Sequence, residues 1–180
     1  MRVTAALTEL ADTAVNAAVR HLLGQAMRDG KLRPVLGAGS GAGPEAGSGY
    51  IVLAMGKMGA GELNYSSDID LICLFDETRF DPFDYHDVRA AFIRVTRKMA
   101  AILSDVRDGG YVFRTDLRLR PDASVTPVCL SMEAAERYYE SVGRTWERAA
   151  YIKARACAGD IDAGERFLAT LKPFVWRKHL

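Results

Sequence analysis

Residues 50–75 read YIVLAMGKMGAGELNYSSDIDLICLF. The apolar run Tyr50–Met55 is halted by Gly56, Gly59 and Gly61, which predicts a strand closed by a tight glycine turn. Glu62–Asn64 is too short for an independent helix and reads as one turn held by its neighbours. Ser66 and Ser67 then lead into a second strand, Asp68–Phe75, which is apolar apart from Asp68 and Asp70. Alternation along a strand puts those carboxylates on one side, with their Cα atoms roughly 6.5–7 Å apart. At an effective dielectric near 20, bare carboxylates at that spacing repel by about 2.5 kcal/mol. Desolvation beside an apolar strand adds to that cost. A hard divalent cation reverses the sign, because such ions prefer carboxylate oxygens. The competing reading is structural, with Asp68 capping a turn and Asp70 in solvent at the start of the strand.

Around this stretch lie 180 residues, 49% hydrophobic and 26% charged, with a formal net charge of +1. That balance suits an ordinary globular chain and excludes a basic nucleic-acid tail or a basic membrane-binding face. Cys73, Cys129 and Cys157 are odd in number and widely spaced, so they read as buried free thiols in a reducing compartment. No apolar run reaches transmembrane length, and Glu9 and Asp12 interrupt any signal-peptide core, so a cytoplasmic chain is expected. Residues 4–28 carry Leu7, Leu10, Ala14, Ala18, His21 and Leu22 at helical spacing, with Gly30 as the stop. His21 reads as a packed or half-exposed side chain rather than a ligand. The expected organisation is an N-terminal helix in 1–30, a flexible glycine-rich loop in 31–49, a core in 50–130 and C-terminal helices in 131–180. Lys57 is not a P-loop lysine, since Ile51 stands where the first glycine belongs and Met58 replaces the Ser/Thr. The glycine turn can still bring backbone N–H groups close to a phosphate.

Downstream, Val88, Ala91, Phe92, Val95, Met99 and Ile102 form the buried stripe of a helix at about Tyr85–Leu103. Asp108-Gly109-Gly110 turns the chain into a third strand, Tyr111–Arg120, in which polar residues alternate with Leu117 and Leu119. With the leucines facing the core, Asp116, Arg118 and Arg120 share the other face. Two readings follow. Asp116–Arg118 is either an ordinary solvated ion pair, or part of an acidic metal site flanked by arginines that grip phosphate oxygens. A short fourth strand is expected at Thr126–Leu130, then helices at Met132–Val142 with Ser131 as N-cap, at Thr145–Ala158, and over Asp162–His179 up to Pro173.

Three separated motifs occur in one order. They are Gly56-Lys57-Met58-Gly59 running through Glu62-Leu63-Asn64 to Ser67-Asp68-Ile69-Asp70-Leu71, then Asp116-Leu117-Arg118-Leu119-Arg120-Pro121, then Trp146-Glu147-Arg148 with Lys153-Ala154-Arg155 and Gly159-Asp160. Together they resemble the nucleotidyltransferase motifs of bifunctional glutamine synthetase adenylyltransferase/adenylyl-removing enzymes, closely over residues 50–160. The Arg-Pro run, Tyr138-Tyr139, Gly143-Arg144 and the arginine after Trp-Glu resemble the N-terminal, adenylyl-removing half. Ala60 and Ala123 stand where that family usually has glycine, which touches loop shape but no proposed ligand.

The resemblance implies an α+β, DNA polymerase beta-like nucleotidyltransferase fold, a small mixed sheet with helices on one face and a helical C-terminal part. It implies metal-dependent phosphorolysis of AMP from a tyrosine of glutamine synthetase, releasing ADP, in the control of nitrogen assimilation. The reverse transfer of AMP from ATP, or a non-catalytic nucleotide- or metal-binding fragment, are the alternatives. Asp68, Asp70 and Asp116 would hold Mg²⁺ or Mn²⁺. Gly56, Lys57, Gly59, Ser67, Arg118 and Arg120 would face phosphate or nucleotide, with Glu147, Lys153 and Arg155 as weaker candidates. Partners would be adenylylated glutamine synthetase, orthophosphate, ADP or ATP and, in the full-length enzyme, the PII signalling protein.

Overall fold

Tyr50–Ala54 (β1) is buried at every position, so neither of its faces can meet solvent, and the rest of the chain folds to cover both. A computed structural model describes residues 3–34 and 42–176. Residues 1–2, 35–41 of the glycine-rich stretch, and 177–180, which take in the end of the expected segment Asp162–His179, lie outside them. In chain order the other elements are helix α1 (Val3–Arg28), the one-turn α2 (Gly56–Gly59), β2 (Ile69–Phe75), α3 (Tyr85–Ser104), β3 (Thr115–Asp116), β4 (Cys129–Ser131), α4 (Met132–Ser141), α5 (Thr145–Tyr151), β5 (Arg155–Gly159) and α6 (Ile161–Val175). The sheet runs β3-β2-β1-β5. β1 is antiparallel to both β2 and β5, whereas β3 and β4 run parallel to β2, at its start and at its end.

Period-two alternation divides the sheet's side chains between two cores. Val52, Ala54, Leu71, Cys73 and Phe75 pack with α1 and α3, where Tyr50 stacks on Phe92 at 5.3 Å. Ile51, Leu53, Met55, Ile72 and Leu74 pack with Tyr139, Tyr151, Phe167 and Leu171 of the C-terminal helices. The sheet is therefore covered on both faces, not on one. Each such buried aliphatic or aromatic side chain contributes about 1.5–3 kcal/mol.

Several expected elements are redrawn. The turn after β1 is helical over Gly56–Gly59, upstream of Glu62–Asn64, which has no regular structure. The strand expected over Tyr111–Arg120 shrinks to Thr115–Asp116. Its first half bonds instead to the end of α3, with Val112 and Phe113 N–H donating to the Leu103 carbonyl and Thr115 N–H to Ser104 Oγ. Past Asp116 the alternation fails, because Leu117 packs on one core and Leu119 on the other. The helix expected over Thr145–Ala158 stops at Tyr151, and Arg155–Gly159 becomes a strand on β1, Leu53 opposite Ala156. Its alanines favour helix locally, but the free edge of β1 needs partners for its backbone groups, and pairing overrides that preference. Pro173 does not end the last helix, since it is exposed and Phe174 beyond it packs on Tyr139 at 5.2 Å. His21 is exposed on α1. Cys73, Cys129 and Cys157 are buried free thiols, as expected.

The end of the sheet where β1 begins is fastened by ions. Buried Asp160 caps α6 through Ala163 N–H and accepts a second hydrogen bond from Gly49 N–H, each at 3.1 Å. Arg79 bridges it to buried Asp76, at 3.8 and 3.5 Å. The opposite end of the sheet carries different acids.

Candidate active site

At that other end β1 gives way to the glycine turn and β2 begins. Asp70 and Asp116 are register partners in the parallel β2–β3 pair, so their side chains share a face. Asp68 lies two residues upstream of Asp70 on the approach to β2. The backbone here is pinned from both sides, by Met55 N–H to the Asp70 carbonyl at 2.9 Å and Ile69 N–H to the Arg114 carbonyl at 2.8 Å.

Charge is distributed unevenly among the three acids. The carboxylate of half-buried Asp70 accepts no hydrogen bond and forms no ion pair with any described residue. Its carboxyl is pushed above the usual carboxylate range by burial first, then by the Asp116 and Asp68 carboxylates, with Arg118 and Lys57 only partly offsetting this. Arg118 grips Asp116 through Nε and Nη2, at 2.9 and 2.5 Å from Oδ2, and holds its carboxyl below that range. Asp68 is met by Arg114, whose Nε lies 2.5 Å from Oδ1 while Nη2 bonds the Ser66 carbonyl at 2.8 Å. A single unneutralised carboxylate thus sits between two neutralised ones.

The glycine turn completes the shelf around Asp70. Gly56 has φ +53°, and a Cβ there would lie 2.7 Å from Asp70 Oδ2, so only glycine lets the turn approach the acid. Lys57 is exposed beside it, and Ser67 Oγ donates to Asn64 Oδ1. Gly59 faces the carbonyls of Lys153 and Ala54, a packing role.

Four of the residues selected from sequence have other work. Arg120 makes no hydrogen bond to the acids, its guanidinium instead bonding the carbonyls of Leu117, Ala123 and Thr126 and so folding the loop between β3 and β4. The shared face expected for Asp116, Arg118 and Arg120 is therefore lost once β3 ends. Buried Glu147 caps its own helix by accepting from Arg144 N–H at 2.8 Å, and takes the Tyr138 hydroxyl. Lys153 pairs with Glu62 at 3.2 Å. Arg155 joins Asp12 of α1 to the Met58 carbonyl, which supports the glycine turn from behind. Arg114 was not among the selected residues, although it stands two before Asp116 in the same expected strand.

Among the described residues, no group of three or more His, Cys, Asp or Glu side chains closes far enough to hold a metal ion by itself. An all-protein cage does not fit. The unpaired Asp70 with Asp116 beside it does fit a hard cation that takes its remaining ligands from water and a substrate phosphate. A hollow of about 300 Å³ between α4 and α6, lined by Glu136, Tyr139, Thr170 and Phe174 among others, contains none of the three acids.

The family model for glutamate-ammonia ligase adenylyltransferase matches residues 1–170. The chain belongs to that family. Over all 180 residues this glutamate-ammonia ligase adenylyltransferase-family chain is 58% identical to the bifunctional glutamine synthetase adenylyltransferase/adenylyl-removing enzyme of Bradyrhizobium sp. (strain ORS 278), and 55% identical to that of Rhodopseudomonas palustris (strain BisB5). With the enzyme of that name from Rhizobium meliloti (strain 1021) it shares 52% over 174 residues, 97% of the chain. The family chain spans only 17–18% of the length of these relatives. Among its described residues no helix is long and apolar enough to cross a membrane.

Proposed function

We propose that the chain is an adenylyl-removing nucleotidyltransferase unit of the DNA polymerase beta-like type, acting on glutamine synthetase that carries AMP on a tyrosine. The observation that carries this reading is the half-buried, unneutralised Asp70 held in register with Asp116 and two residues from Asp68. Leaving a carboxylate in that state costs stability, and a site that receives a cation explains it.

In the reaction an orthophosphate oxygen attacks the AMP phosphorus. The bond from phosphorus to the tyrosine oxygen breaks, a new P–O–P link makes ADP, and the tyrosine oxygen regains a proton from the phosphate. Asp70 and Asp116 would hold Mg²⁺ or Mn²⁺, with Asp68 alongside. When bound, such an ion offsets negative charge on the phosphate oxygens. Arg118 and exposed Lys57 orient phosphate oxygens, and the turn from Gly56 to Gly61 with Ser67 lines the phosphate side. Arg120 shapes the loop instead of touching nucleotide. The test is phosphorolysis of adenylylated glutamine synthetase. Asp70→Asn is expected to lower the rate at least a hundredfold at saturating magnesium, and a near-parent rate would overturn the assignment.

The relatives are named for two activities, so adenylyl transfer from ATP is the second reading. Label from ATP appearing on unmodified glutamine synthetase, without phosphorolysis, would favour it. Tight nucleotide binding with turnover in neither assay would mark a binding fragment. Control of either reaction by the PII protein is assigned to the longer enzyme.

A further inference from the structure

The two arginines that meet the outer acids are held in different ways. Arg114 is anchored three times, on Asp68, on the Ser66 carbonyl, and over the Tyr111 ring at 5.9 Å. Among the described residues the side chain of Arg118 hydrogen-bonds Asp116 alone, and it is 84% exposed. No other hydrogen bond to a described residue has to break for it to leave, only its longer-range attraction to Asp68 and Asp70. Asp116 does not need that guanidinium to keep its orientation, because Arg118's own backbone N–H donates to Asp116 Oδ1 at 2.8 Å. Oδ2 is the atom that departure would leave without a hydrogen bond, on the register partner of Asp70.

We propose that Arg118 is the counter-ion a divalent cation displaces from Asp116, and that the released guanidinium then takes up a phosphate oxygen. Arg114 stays on Asp68. The inference rests on the metal-assisted reading above and goes beyond it by assigning opposite roles to two similar pairs. A guanidinium that leaves a carboxylate can keep its two-pronged hydrogen bonding on a phosphate, so the exchange conserves donor geometry. Cation and phosphate then bind cooperatively, because each removes a competitor of the other, and the linkage is reciprocal.

The experiment is a Mn²⁺ titration of the 180-residue chain, free Mn²⁺ being read by electron paramagnetic resonance, with and without inorganic phosphate and against protein-free blanks. In the parent, phosphate is expected to tighten Mn²⁺ about five- to tenfold, the low end for coupled sites. Arg118→Gln should bind Mn²⁺ several-fold tighter than the parent without phosphate and lose the coupling, which Arg118→Lys should partly restore. Arg114→Gln should bind Mn²⁺ more weakly, because Asp68 and the Ser66 carbonyl lose their tether. Circular dichroism confirms that each variant is folded. Unchanged Mn²⁺ affinity in Arg118→Gln, or a full phosphate effect in it, overturns the exchange while leaving the metal reading intact. No Mn²⁺ binding by the parent in either condition, or parent-like binding by Asp70→Asn, sinks the metal reading and the exchange with it.

Discussion

Replacing Gly56 by alanine separates backbone strain from damage to Asp70, because Gly61 supplies an internal control. Both glycines have positive φ, +53° and +72°. An L-residue in that region costs roughly 1–2 kcal/mol. At Gly61 a Cβ meets nothing within 4 Å, so Gly61→Ala should show strain alone. At Gly56 the Cβ would arrive 2.7 Å from Asp70 Oδ2, well inside an ordinary contact, and the carboxylate must swing away. For a chain of this length about 1 kcal/mol moves Tm by roughly 2–4 °C. Both variants should therefore lose about 2–8 °C in thermal unfolding followed by circular dichroism. Only Gly56→Ala should also lose phosphorolysis, by at least tenfold, at a temperature where both variants remain folded. Equal activity in the two variants would refute the claim that the turn is shaped around Asp70. So would a Gly61→Ala loss as large as that of Gly56→Ala.

Three further outcomes are expected. Asp70→Asn should inactivate the chain yet leave it slightly more stable than the parent at pH 7, the gain being small because the carboxylate is only half-buried. The sign follows from a folded-state pKa that is raised: protonated Asp70 favours the fold below the ordinary carboxylate value, near 3.9, and this is lost as pH rises through the raised value, so urea midpoints of variant and parent should converge at pH 3. Asp160→Ala removes the cap of α6 and leaves the Gly49 N–H without its acceptor, for a loss of about 2–4 kcal/mol in urea unfolding; Asp160→Asn, which keeps an acceptor oxygen, should lose less than half of that. Arg120→Lys cannot reach three carbonyls at once and should cost about 1–2 kcal/mol, with protease cutting appearing between Pro121 and Pro127; unchanged cutting would show that the loop holds itself.

Reading the chain alone located β1, β2, α1, α3, the Ser131 cap and the free thiols, because each rests on local signals: apolar periodicity, a glycine stop, a capping side chain. It also selected Asp68 and Asp70, since acids in an apolar strand need an explanation wherever that strand lies, and Asp116 from its alternation with Leu117 and Leu119. What it missed depends on partners far away in the chain. Arg155–Gly159 is a strand because the edge of β1 must be satisfied, a demand invisible in its own alanines. Arg120 and Arg118 stand two residues apart in one pattern, yet one is consumed by loop carbonyls and the other rests on a single carboxylate, because β3 ends between them and Asp116. Local sequence thus decided which residues carry charge and which are buried. Tertiary structure alone decided which charges are neutralised, since neutralisation depends on neighbours that only the assembled sheet supplies.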